Sequence, residues 1–143
     1  MSGHEHPRQK IRFFASGEWT GEAERHVSQA LDQLALSRSW TLGPPTYSVG
    51  RGELSGELTL HSAFPPWGER LPVQTDEAEL EQTRALISVL ANASVQLGAP
   101  ISLDMDDDPV GEIASGRLDV GISEVLLAEW ERMLEKRRGQ ARK

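Results

Sequence analysis

The chain has 143 residues, 38% of them apolar, no Cys, and a formal charge of −7. That length fits one domain able to bury about two thirds of its unfolded surface, and the apolar content is that of a globular protein rather than a disordered one. Disulfides and thiolate zinc sites are excluded, no apolar run nears the roughly 18 residues that cross a bilayer, and MSGHEHPRQK lacks a signal-peptide core. The expectation is a single cytoplasmic domain over residues 1–143, with 1–9 and 139–143 flexible.

The charge is unevenly spread. Residues 1–75 carry 8 acids and 7 bases, residues 76–131 carry 13 acids and 2 bases, and residues 132–143 carry 1 acid and 6 bases. The acidity is therefore regional. A field of that sign repels nucleic acid and anionic lipid and attracts basic partners or cations.

At the N-terminus, Ser2-Gly3-His4 has the form of an amino-terminal copper or nickel site, although an exposed His-bearing end needs no metal. Lys10 to Ala15 alternates Ile11 and Phe13 with Arg12, which predicts a strand. Thr20 to Ser37 predicts a helix capped by Thr20, with Glu22 and Glu24 at its positive end. Ala23, Val27, Ala30, Leu31 and Leu34 make its buried stripe, and His26 beside them reads as a structural histidine. Trp40-Thr41-Leu42 reads as a short strand stopped by Gly43-Pro44-Pro45. Tyr47 to Val49 and Glu53 to His61 read as a hairpin through Gly50-Arg51-Gly52. The glycines at 50, 52 and 56 lack both the spacing and the following helix of a dinucleotide fingerprint.

Ser62 to Gln74 is a loop in which Pro65-Pro66 holds Phe64 and Trp67 out as an aromatic contact surface, or lets them fold back over the sheet edge. Thr75 to Leu97 predicts the longest helix, capped by Thr75 or Asp76, with Glu77 and Glu79 loading the first turn. Gly98 and Pro100 stop it.

The densest charge follows. Nine carboxylates face Arg117 alone between residues 101 and 131. Ile101, Leu103 and Met105 alternate with Ser102, Asp104 and Asp106, which predicts a half-buried strand. Asp107-Asp108-Pro109 supplies turn chemistry, and Val110 to Ile113 returns. Ile122, Leu126, Trp130, Met133 and Leu134 then share one face of a last helix, whose Arg132, Lys136, Arg137 and Arg138 suit the negative end of its dipole.

Three chemistries compete for these carboxylates. Asp104-x-Asp106-x-Asp108 has the first ligand spacing of a calcium loop. Pro109 stands where that loop needs Gly, and Ser115 where it needs Glu. A general acid–base pair has no nucleophile or His beside it. An anionic face complementary to a basic protein needs nothing further, and it speeds encounter and rejects wrong partners. A solvated acidic surface with turn-forming aspartates is the plain alternative.

The runs Gly111-Glu112-Ile113, Gly116-Arg117-Leu118-Asp119 and Leu126-Leu127-Ala128-Glu129-Trp130 resemble the C-terminal pattern of small α+β immunity proteins encoded beside bacterial polymorphic toxins. The resemblance is confined to the C-terminal quarter of the chain. It implies a cytoplasmic, non-enzymatic protein that binds one toxin domain, and an acidic binder suits a basic nuclease toxin.

These readings converge on an α+β, two-layer domain in which a mainly antiparallel sheet packs against three helices in the order βαβββαββα. The expected function is that of an inhibitory binding protein without cofactor, whose partner-binding residues are Asp104, Asp106, Asp107, Asp108, Glu112, Phe64 and Trp67. The alternative is a small-ligand or divalent-cation-binding domain.

Overall fold

Alternation of Ile11, Phe13 and Ala15 with Lys10, Arg12 and Phe14 builds the strand at the heart of the sheet. In the computed structural model, which describes residues 7–62 and 71–141, this is β1 (Arg8–Ser16). The first set is buried, whereas Phe14 on the opposite face is 46% exposed. β1 pairs antiparallel with β3 (Glu53–His61) on one side and β4 (Ile101–Met105) on the other. β2 (Thr46–Gly50) extends the sheet beyond β3, and β5 (Asp108–Ala114) and β6 (Arg117–Leu118) extend it beyond β4. All neighbours are antiparallel, in the order β2-β3-β1-β4-β5-β6.

The helices cover one face of that sheet. α1 (Gly21–Leu36) starts at Thr20, whose hydroxyl accepts the Ala23 N–H at 3.0 Å, as its cap chemistry predicts. α2 (Val73–Leu97) ends at Gly98, which takes the left-handed conformation and donates back to the last carbonyls. A π-helical segment (Gly121–Ala128) runs directly into α3 (Glu129–Ala141). Strand residues Ile11, Phe13, Leu54, Leu58, Ile101 and Leu103 meet helix residues Val27, Leu31, Leu86, Leu90, Ile122 and Trp130 in one core. The domain is α+β and two-layered, and the far face of the sheet carries no helix among the described residues.

The π-helical turn has a reason in the sequence. Ile122, Leu126, Trp130 and Leu134 are all buried, at a strict spacing of four. Four residues overshoot an α-turn of about 3.6 and fall short of the wider π-turn. A helix that passes from one to the other keeps such a stripe aimed at the core.

Several boundaries differ from the sequence reading. The element order is βαββαβββα when the π-helical segment and α3 count as one helix. Trp40–Leu42 is not a strand, because its side chains are spent on the helices. The Trp40 indole donates to the Ala35 carbonyl at 3.0 Å, and the Thr41 hydroxyl donates to Glu79 at 2.5 Å. α2 begins two residues before Thr75, after Pro72, and neither Thr75 nor Asp76 caps it. His26 is exposed rather than packed into the stripe. β6, too short to show a period, was legible only as a Gly turn.

Candidate functional site

The acidic stretch forms a two-residue hairpin. Asp106 and Asp107 both have positive φ (51° and 73°), the conformation of a type I′ turn, which twists with the strands it joins. The turn therefore sits one residue earlier than Asp107-Asp108-Pro109, and Asp108 already pairs with Met105 across the strands. Pro109 still serves the hairpin: it lies near the start of β5, where β6, which pairs only with Ile113 and Ala114, does not reach.

Both tip aspartates are tied down. Asp106 accepts the Lys10 backbone N–H through Oδ1 at 2.9 Å, and its own N–H donates to the Lys10 carbonyl at 3.0 Å. Asp107 takes the Arg12 guanidinium at 2.5 Å. These contacts fasten the tip to β1 rather than offering it to a partner.

The remaining acids divide between the two sides of the sheet. Cross-strand pairing puts Glu57, Arg12 and Asp104 in one row on the open face, with Glu112 opposite the exposed Ser102 beside them. Asp108 lies opposite Met105, on the side of the helices, because the register shifts between Leu103 and Asp104 and leaves Val110 as an extra residue. Asp108 and Glu112 are exposed and have no ion-pair partner among the described residues. Asp104 is half-buried, and its Oδ1 is shielded from water without a hydrogen-bond donor.

Asp119, read only as part of a short Gly–Leu pattern, locks the far end of the hairpin. One of its oxygens accepts the Glu112 N–H at 2.7 Å, and the other accepts the Ile122 N–H at 3.3 Å at the start of the π-helical segment. Gly111 makes room for it: a Cβ there would lie 2.0 Å from Asp119 Oδ1. Glycine is required at 111 by close approach.

Two surface concavities flank the hairpin. A shallow groove of about 450 Å³ crosses the open face, lined by Arg12, Phe14, Thr46, Ser48, Ser55, Glu57 and Asp104 among others. A second, also about 450 Å³, lies on the helix side between the hairpin and the π-helical segment, lined by Met105, Pro109, Val110, Gly121, Val125 and Leu126.

The other concentration of charge is internal. Asp76 and Glu79, 2% and 0% exposed, lie one turn apart at the start of α2. Asp76 accepts the Trp130 indole N–H at 2.6 Å and Arg137 Nη1 at 2.8 Å, and Arg137 also donates to the Leu71 carbonyl. Burial pushes the Asp76 carboxyl above its usual 3.8, against the opposing pull of Trp130 and Arg137. Glu79 accepts the His61 backbone N–H at 2.9 Å, His61 Nδ1 at 2.7 Å and the Thr41 hydroxyl at 2.5 Å. A carboxylate only accepts, which places the His61 proton on Nδ1. With three donors on Glu79 and two on Asp76, both groups brace α2 against β3 and α3. The signal was available: residues 76, 79, 80, 83, 87 and 90 share one helical stripe, so two carboxylates sat on an apolar face.

Phe64 and Trp67, and the Ser2-Gly3-His4 terminus, lie outside the described residues. Among the described residues, no three His, Asp or Glu side chains converge as metal ligands do. No described helix is long and apolar enough to cross a membrane. No family model matches the chain, and no curated protein or solved structure matches it significantly.

Proposed function

We propose that the protein is a non-enzymatic, inhibitory binding protein, most concretely an immunity protein that neutralises a basic toxin domain, acting in the cytoplasm. The observation that carries this reading is the division of labour within the hairpin. Asp106 and Asp107 fasten it to β1, while Asp108 and Glu112 stand exposed without a counter-ion among the described residues. A rigid support for unpaired carboxylates lets a basic partner form charged hydrogen bonds without first ordering the hairpin. The uneven charge of the chain supports the same sign of partner.

The test is co-purification with the product of the neighbouring reading frame, followed by charge reversal. Asp108→Lys with Glu112→Lys should weaken that complex by about tenfold or more, with a steep salt dependence. Asp106 is unsuitable for this test, because its carboxylate holds the Lys10 backbone. A neighbour that neither binds nor acts as a toxin overturns the assignment. Unchanged affinity in the double variant overturns the site.

The Asp104 oxygen also favours a second reading, in which the open-face groove takes a cation or small polar ligand. Calorimetric titration with Ca²⁺, Mg²⁺ and Mn²⁺ separates the two. Saturable heat that Asp104→Asn abolishes supports the second reading, and no heat rejects it for these ions.

A further inference from the structure

The helix-side groove differs in kind from the acidic hairpin next to it. Its lining is apolar: Met105, Pro109 and Val110 form one wall, and Val125 and Leu126 form the other. The floor is close-packed backbone, since a Cβ on Gly121 would lie 1.9 Å from the Val110 carbonyl oxygen. Leu126 is 4% exposed and anchored in the core, whereas Val125 is 65% exposed and turned to water. The groove is thus preformed on fixed elements, with a water-facing valine at its lip.

Its rim is acidic. Asp108 is the cross-strand neighbour of Met105, and Glu124 is exposed beside Val125. Among the described residues, no Lys or Arg lines the groove. An apolar slot of this size accepts a bulky side chain, and unpaired carboxylates at its edge select the charge of what flanks that side chain.

We infer that this groove is the anchor pocket for a segment of a partner protein that presents one bulky apolar residue flanked by Lys or Arg. The inference rests on the binding reading above and names the partner's contact chemistry. Burying the anchor supplies affinity, and Asp108 with Glu124 confers preference for basic flanks. The open-face carboxylates Asp104 and Glu112 are on the other side of the sheet and are not part of this pocket.

The probe is a phage-displayed library of random linear peptides selected on the full chain, with the selected peptides titrated by amide chemical-shift mapping. Enriched sequences should pair a large apolar residue with adjacent Lys or Arg, and the largest shifts should fall on Val110, Gly121 and Val125. Val125→Asp should reduce their affinity by about tenfold or more, and Asp108→Lys should relax the preference for basic flanks. Enrichment without that pattern, shifts confined to other surfaces, or unchanged affinity in Val125→Asp overturns the pocket. Concentration-dependent shifts without peptide also overturn it, because the occupant is then a second copy of the chain. The two readings fail separately. A neighbouring gene product that loses affinity with Asp108→Lys plus Glu112→Lys but not with Val125→Asp leaves the binding function standing and removes the pocket. Selected peptides that occupy the groove when the neighbour does not bind do the reverse.

Discussion

Asp76 and Glu79 under α2 and Asp108 and Glu112 on the β4–β5 hairpin are the same chemistry in opposite surroundings. The first pair is almost wholly shielded and accepts hydrogen bonds from Trp130, Arg137, His61 and Thr41. The second pair is exposed and has no ion-pair partner among the described residues. The difference follows from desolvation. A carboxylate removed from water costs several kcal/mol unless donors meet it, so burial recruits partners from distant parts of the chain. A carboxylate left in water costs little and keeps its lone pairs for a visitor. The buried charge all goes to holding the fold, whereas the hairpin region spends Asp106, Asp107 and Asp119 on its own anchoring and leaves Asp108 and Glu112 for recognition.

Removing one partner from the inside pair should have the largest effect. Glu79→Ala removes the buried acceptor shared by the His61 ring and backbone N–H groups and the Thr41 hydroxyl, and should destabilise by about 3–5 kcal/mol in urea unfolding. A loss below about 1 kcal/mol would place Glu79 with the surface acids and erase the contrast.

Asp76→Asn should cost about 1–3 kcal/mol, because an amide NH2 replaces one of the two oxygens that accept from Trp130 and Arg137 and leaves that donor unmet. It also has a pH signature. A carboxyl whose folded pKa lies above 3.8 keeps its proton in the folded chain after the unfolded chain has lost it. Its contribution is complete below 3.8 and is lost as pH rises through the folded value, so stability contributed by Asp76 falls with rising pH. The wild type's advantage over Asp76→Asn should shrink across that interval, and a pH-independent difference rules this out.

At the junction between the two regions, Gly111→Ala drives a methyl against Asp119 and should cost about 1–3 kcal/mol. Shortening the obstructing residue in Gly111→Ala plus Asp119→Ser should cost less than the sum of the two single changes. Strict additivity contradicts the proposed contact.

The smallest effect on stability belongs to the hairpin. Asp108→Lys with Glu112→Lys should change the unfolding free energy by no more than about 0.5 kcal/mol while weakening the partner complex. Destabilisation beyond about 2 kcal/mol would mean these acids are structural too.

The elements with a clear period were legible. β1, α1, the β2–β3 hairpin, α2, the β4–β5 hairpin and a C-terminal helix all follow from alternation or from helical spacing bounded by Gly and Pro. Trp40–Leu42 misled because three residues carry no period, and their side chains serve α1 and α2 instead. The acidic hairpin was legible as a unit. Its internal division was not, because a bulge between Leu103 and Asp104 decides on which side Asp108 emerges. Asp76 read as a cap since its true partners, Trp130 and Arg137, are 54 and 61 residues away.

Local chemistry in the sequence determined the strands and helices that carry a clear period, the approximate place of the turns between them, and that residues 76–131 carry the acidity, because propensity, capping and period act over a few residues. Only the tertiary structure decided which carboxylates are spent and which are free. A carboxylate's role depends on the donors that burial brings to it, and those come from anywhere in the chain.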